Sequence, residues 1–210
     1  MRATQTQLIP IQEMTPGQIS TIRNSIINQI VAVAARELSV NEKQLVVRDI
    51  LPYTDLGMDY GTASAGTTEN WERDLTGTSV GYVSVTGSHT MGDQRYVAIF
   101  GVRDYRNSQG ATHTATEISA APYMPLDEVS LIKFDIGGAT KAIWDISGIQ
   151  AKSDAHVGFS PSAVLIPQNA SYNIYYYVKA QYTADTAKIG MAYLQFVGVT
   201  VEPRGKTMTP

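Results

Sequence analysis

The sequence predicts a mainly β protein: an antiparallel β-sandwich or jelly roll preceded by one N-terminal amphipathic α-helix. Three observations carry this. Residues 15–38 place apolar side chains at spacings of three and four, the helical period. From residue 44 the period shortens to two, and short apolar runs alternate with Gly- and Pro-bearing turns. Only 17% of the 210 residues are charged, against roughly 25% in an average globular protein. The deficit is filled by Thr, Ser, Gly, Asn and Gln, which suit hydrogen-bonded sheet surfaces better than free helices.

Residues 1–14 show no periodicity and read as an arm. Thr15-Pro16-Gly17-Gln18 then offers an N-cap hydroxyl, a proline at the first helical position and a glutamine that closes a capping box. Ile19, Ile22, Ile26, Ile30 and Val33 form one apolar row, and Ile27, Val31, Ala34 and Leu38 an adjoining one. Two rows make a face broad enough to bury about half the circumference. The opposite flank, Asn24, Ser25, Asn28 and Ala35, has no charge.

The remainder, residues 39–202, reads as the β-domain. Gln44–Leu51 alternates and stops at Pro52, and a long polar loop follows over 53–78. Strands are expected at 80–85, Tyr96–Val102, Val129–Ile136, Ala142–Ile146, Ser162–Ile166 and Tyr172–Tyr182. Ile189–Val201 is apolar on both faces, so it is expected to lie centrally with a layer on each side. Residues 203–210 form a basic tail.

Composition bounds the chemistry. A net charge of −3 gives no general attraction for nucleic acid, and no specific nucleic-acid binding is expected. The absence of cysteine excludes disulfides, thiolate metal sites and thiol catalysis. No stretch matches a secretory signal or the eighteen apolar residues of a spanning helix, so a soluble chain without a transmembrane segment is expected.

Catalytic motifs are weak. Gly77-Thr78-Ser79-Val80-Gly81 has the spacing of a serine nucleophile elbow, but it lacks the strand before it and the helix after it. Ser130 and Lys133 have the spacing of acylating serine enzymes, yet on a strand they project to opposite faces. His89, His113 and His156 share no ligand spacing. The acidic run through Asp55, Asp59, Glu69, Glu72 and Asp74 has no calcium-loop pattern and reads as solvated loop charge. Arg95, Arg103 and Arg106 among Tyr96, Phe100 and Tyr105 read as a solvated or subunit-facing edge. No catalytic residue, cofactor or metal is expected, and the protein is not expected to be an enzyme.

Residues 79–202, with low charge, tyrosine-rich alternation and the turn Ile166-Pro167-Gln168-Asn169-Ala170-Ser171-Tyr172 into a long strand, resemble jelly-roll capsid proteins of bacterial and archaeal viruses. Val46-Val47-Arg48-Asp49-Ile50-Leu51-Pro52 behind a helix is similar to major capsid proteins of tailed phages, but the long spine helix of that family is missing. The first resemblance implies a self-assembling virion structural subunit, its partners copies of itself and other virion proteins, located in the virion. On that reading Ile27, Val31 and Leu38 face a neighbouring subunit. The alternative is a carbohydrate- or surface-binding β-sandwich module using an outer-face strip of Asn173, Tyr175, Tyr177 and Gln181.

Overall fold

The first helix, α1, spans Pro16–Leu38, and its start follows from four residues. The Gln18 N–H donates to Thr15 Oγ1 at 3.3 Å, while the Thr15 N–H donates to Gln18 Oε1 at 2.8 Å. Each satisfies a backbone or side-chain group that the helix end leaves open. The helix stops at Ser39, which takes the left-handed conformation (φ 54°) and donates to the carbonyls of Ala35 and Arg36.

The computed structural model describes residues 5–50, 55–56, 72–74, 81–104, 129–150, 157–178 and 191–205. Its strands are β1 Gln5–Gln7, β2 Ile9–Pro10, β3 Leu45–Asp49, β4 Glu72–Asp74, β5 Gly81–Ser84, β6 His89–Thr90, β7 Tyr96–Asp104, β8 Val129–Ile136, β9 Ala139–Asp145, β10 Val157–Ile166, β11 Ser171–Val178 and β12 Met191–Pro203. A short helix, α2, covers Ser147–Gln150.

Two sheets result. One has the order β2-β10-β7-β12-β3 with β4 also on β12, the other β1-β9-β8-β11-β5 with β6 also on β11. Eight strands form the body: β3, β5, β7, β8, β9, β10, β11 and β12. Counted one to eight along the chain, they run 1-8-3-6 in the first sheet and 2-7-4-5 in the second. All pairings among these eight are antiparallel. Successive strands change sheet except at the β8–β9 hairpin. There Gly137 and Gly138 both have positive φ (60° and 75°), as a two-residue hairpin turn requires. The molecule is a β-sandwich.

Alternation along each strand builds two cores. Val97, Ile99 and Val102 of β7 face the second sheet and join Phe134, Trp144, Ile174, Tyr176 and Phe196 in the main core. Phe134 sits edge-on to Trp144 (ring centroids 4.7 Å apart) and to Phe196 (5.9 Å). Tyr96, Ala98 and Phe100, one residue out of phase, face the other way and pack with Phe159, Val199 and Val201 under Ile26, Ile30 and Ala34 of α1. The first sheet is therefore covered on both sides, and β12 lies inside it between β7 and β3, with side chains in both cores.

Where β12 crosses β7 the backbones come very close. A Cβ at Gly198 would collide with the Ala98 carbonyl oxygen and lie 3.1 Å from Ile99 Cα. Backbone cannot swing aside as a side-chain tip can. Gly198→Ala is expected to cost about 2–4 kcal/mol, within the range for overpacking and broken ladder contacts. Urea denaturation measures it, and a loss below about 0.5 kcal/mol would contradict this packing.

The arm differs from the sequence expectation. Residues 5–10 are not patternless: β1 adds in parallel to β9, and β2 adds antiparallel to β10. The chain thus laces one edge of both sheets together, with Leu8 in the main core at 1% exposure. Strands of three and two residues are too short to show a period.

Candidate functional site

The outer face of the second sheet holds three of the four residues of the predicted strip. Tyr172, Ile174 and Tyr176 point into the main core, so Asn173, Tyr175 and Tyr177 point away from it. Gln181 lies outside the described residues. Cross-strand register puts Tyr177 between Tyr82 and Leu131, Tyr175 between Ser84 and Lys133, and Asn173 beside Asp135. Tyr82 and Lys133 belong to this patch and are brought to it by the register of β5 and β8 on β11.

The patch is already engaged with itself. Tyr82 stands edge-on to Tyr177 at 5.1 Å and to Tyr175 at 6.5 Å. Lys133 Nζ lies 4.0 Å from the centre of the Tyr175 ring and 2.9 Å from Asp135 Oδ2, so the ammonium uses both a π face and a carboxylate. Asn173 Oδ1 accepts from Ser84 Oγ at 2.6 Å and Thr86 Oγ1 at 3.3 Å. Sugar recognition needs an open ring face beside free amide groups. Here the cation covers the Tyr175 ring, and the Asn173 carbonyl oxygen is occupied.

The helix offers a different surface. Ile27, Val31 and Leu38 are half-buried and rest on the flank of the chain's own helix-side core. The exposed flank is instead Ser20, Asn24, Ser25, Asn28, Gln29 and Ala32. Its side chains bond one another weakly, Asn24 to Ser20 and Gln29 to Ser25, each at 3.5 Å. Between Arg23 and Arg36 the helix carries no charge.

A buried charge cluster lies between the sheets beside β3, and sequence reasoning missed it. Arg48 donates to both Asp55 oxygens, at 2.7 and 2.6 Å, and Thr200 Oγ1 donates to Asp55 Oδ2 at 2.9 Å. Arg95 Nη1 lies 3.5 Å from Asp55 Oδ1, and Arg95 Nε bonds Glu202. Among the described residues two guanidinium groups thus face two carboxylates, with the Asp55 side chain at 0% exposure. Hydrogen bonding to Asp55 holds Arg48 above its ordinary value against the opposing effect of burial. Two expectations are corrected. Asp55 is an interior ion-pair partner and not a solvated loop charge, and Arg95 turns inward instead of lying on a solvated edge. Arg103 is exposed, and Arg106 lies outside the described residues. The available signal was a charge inside each apolar run, Arg48 and Glu202.

Elsewhere the chemistry stays dispersed. Ser130 and Lys133 share strand β8 at an odd spacing. His89 is exposed on β6, while Ser79, His113 and His156 lie outside the described residues, as do Asp59 and Glu69. A cavity of about 440 Å³ opens between the β8–β9 turn and β10, with Lys141 the only charged wall residue among the described residues. Among the described residues no three His, Cys, Asp or Glu side chains group as metal ligands, and no helix is long and apolar enough to cross a membrane.

Two buried tyrosines give the fold an alkaline limit. Burial raises the Tyr172 hydroxyl to about 12. Burial, and then its bond to Glu37 Oε2 at 2.9 Å, raise Tyr96 further. A raised phenol favours the protonated folded state, so this stability is complete below about pH 10 and is lost as pH climbs through 12. Melting temperature is expected to fall steeply between about pH 10 and pH 12, and Tyr172→Phe is expected to flatten that fall. An unchanged profile in the variant would remove Tyr172 as a cause.

Fold and site together define a β-sandwich protein with a helical outer layer and an outer sheet face whose tyrosines, lysine and asparagine contact side chains of the same sheet. No family model matches the chain, and no curated protein matches it.

Proposed function

We propose that this protein is a self-assembling structural subunit of a virion coat, without catalytic activity, and that its sandwich is a jelly roll. The observation that carries the reading is the strand order. Eight antiparallel strands ordered 1-8-3-6 and 2-7-4-5 support that reading, since a jelly roll nests two Greek keys in eight strands, an architecture used by viral capsid domains and also by lectins and cupins. Fold alone does not choose among these. The exposed uncharged flank of α1 favours assembly, because a helix that meets only water gains little from forgoing Lys and Glu. The self-engaged tyrosine patch favours a lectin role less.

Light scattering after size exclusion tests the reading on purified protein across a concentration series. Species well above the 22.8 kDa of one chain are expected at high concentration. Introducing like charges on the helix flank with Asn28→Lys and Ala32→Lys is expected to reduce them while the melting transition persists. A strict monomer at every concentration would contradict the proposal.

A further inference from the structure

The N-terminal strap closes only part of one side of the sandwich. β1 covers β9 over Ile143–Asp145, β2 covers β10 at Gly158 and Phe159, and Leu8 between them enters the main core. Farther along, at residues 139–142 and 163–166, no described strand pairs with these outer edges. The cavity of about 440 Å³ opens there. It lies between Lys141 and Ala142 of β9 and Ala163, Val164 and Leu165 of β10, bounded by Gly137 and Pro167 at the turns. Its size falls within the roughly 300–1,000 Å³ of small-molecule pockets.

Small side chains leave this space. Ala142 and Ala170 pack against the main core and Ala163 against the helix-side core, so the walls draw on both. Lys141 is exposed and supplies the cavity's charge. Among the described residues no carboxylate lines the cavity, and Lys141 makes no ion pair. The acids of β8 and β9 are engaged elsewhere. Asp135 holds Lys133 and Thr140, at 2.9 and 2.6 Å, and Asp145 accepts from the Ser147 N–H at 2.9 Å. Apolar walls beside one unpaired cation complement a ligand with an apolar body and one anionic head.

We propose that this cavity binds a medium-chain alkyl carboxylate, its chain between the edges of β9 and β10 and its head at Lys141. Packed sheets stand about 10 Å apart, a width that admits one alkyl chain between side chains. A neutral ligand leaves Lys141 without a partner, and a cationic one meets it as a like charge. The site does not depend on the assembly reading, since both walls belong to one chain.

Calorimetric titration of the full chain with sodium decanoate, below its micelle concentration, tests this. Saturable binding of one decanoate per chain is expected, with decyltrimethylammonium bound at least tenfold more weakly. Lys141→Glu is expected to reverse that preference at an unchanged melting temperature. Lys43→Glu, beside β3 at the opposite edge of the first sheet, is expected to keep it. Ala142→Leu fills the cavity and is expected to abolish binding of both amphiphiles. No saturable binding, equal binding of the two, or a Lys141→Glu variant that retains the wild-type preference would overturn the proposal.

Discussion

Asp55→Ala is expected to destabilise the protein by about 3–5 kcal/mol, the cost of removing one partner from a buried ion pair. The substitution takes away the acceptor of three hydrogen bonds, two from Arg48 and one from Thr200. It leaves two buried guanidinium groups facing the single carboxylate of Glu202. Arg48 Nε is already buried without a hydrogen bond. Combining Arg48→Met with Asp55→Ala restores charge balance and keeps the Arg95–Glu202 pair. The double variant is therefore expected to lose less stability than Asp55→Ala alone. Equal or greater loss, by urea denaturation, would show that packing and not charge balance governs the cluster. Asp55 also ties the chain beyond β3 to the sandwich interior, so the single variant is expected to increase proteolysis between residues 50 and 60.

Deleting residues 1–38 is expected to abolish the folded state. Ile26, Ile30 and Ala34 would leave Tyr96, Ala98, Phe100, Phe159, Val199 and Val201 facing water. Each large apolar side chain so exposed forfeits roughly 1.5–3 kcal/mol, and several together exceed the roughly 5–15 kcal/mol by which domains are stable. The same deletion removes Leu8 and the strap that joins the two sheet edges. Circular dichroism is expected to show no cooperative melting in the truncated chain. A soluble, cooperatively folding truncation would mean that the helix serves chiefly to contact neighbours.

Much of this architecture was legible because it is written in local period. The capping box fixed the start of α1, and the β8 boundaries match the alternation from Val129 to Ile136. The double-sided apolarity of Ile189–Val201 anticipated a strand with a core on each side. The rest depends on contacts between residues far apart in the chain. β1 reaches β9 across more than 130 residues, and three residues cannot announce such a partner. Arg48, Asp55, Arg95 and Glu202 converge from four separate stretches of chain, so no spacing in the sequence relates them. Tyr175 and Tyr177 were recognised as outward-facing, but only register with β5 and β8 revealed Tyr82 and Lys133 beside them. For Ile27, Val31 and Leu38, periodicity marked an apolar row without saying what covers it. The chain's own core takes part of each.

Electron microscopy of the concentrated, purified protein tests the central claim most directly. A coat subunit is expected to form closed shells or ordered sheets with a fixed repeat, and Asn28→Lys with Ala32→Lys to reduce them in number. A field of single particles of subunit size, unchanged by concentration, ionic strength or the presence of nucleic acid, would contradict it.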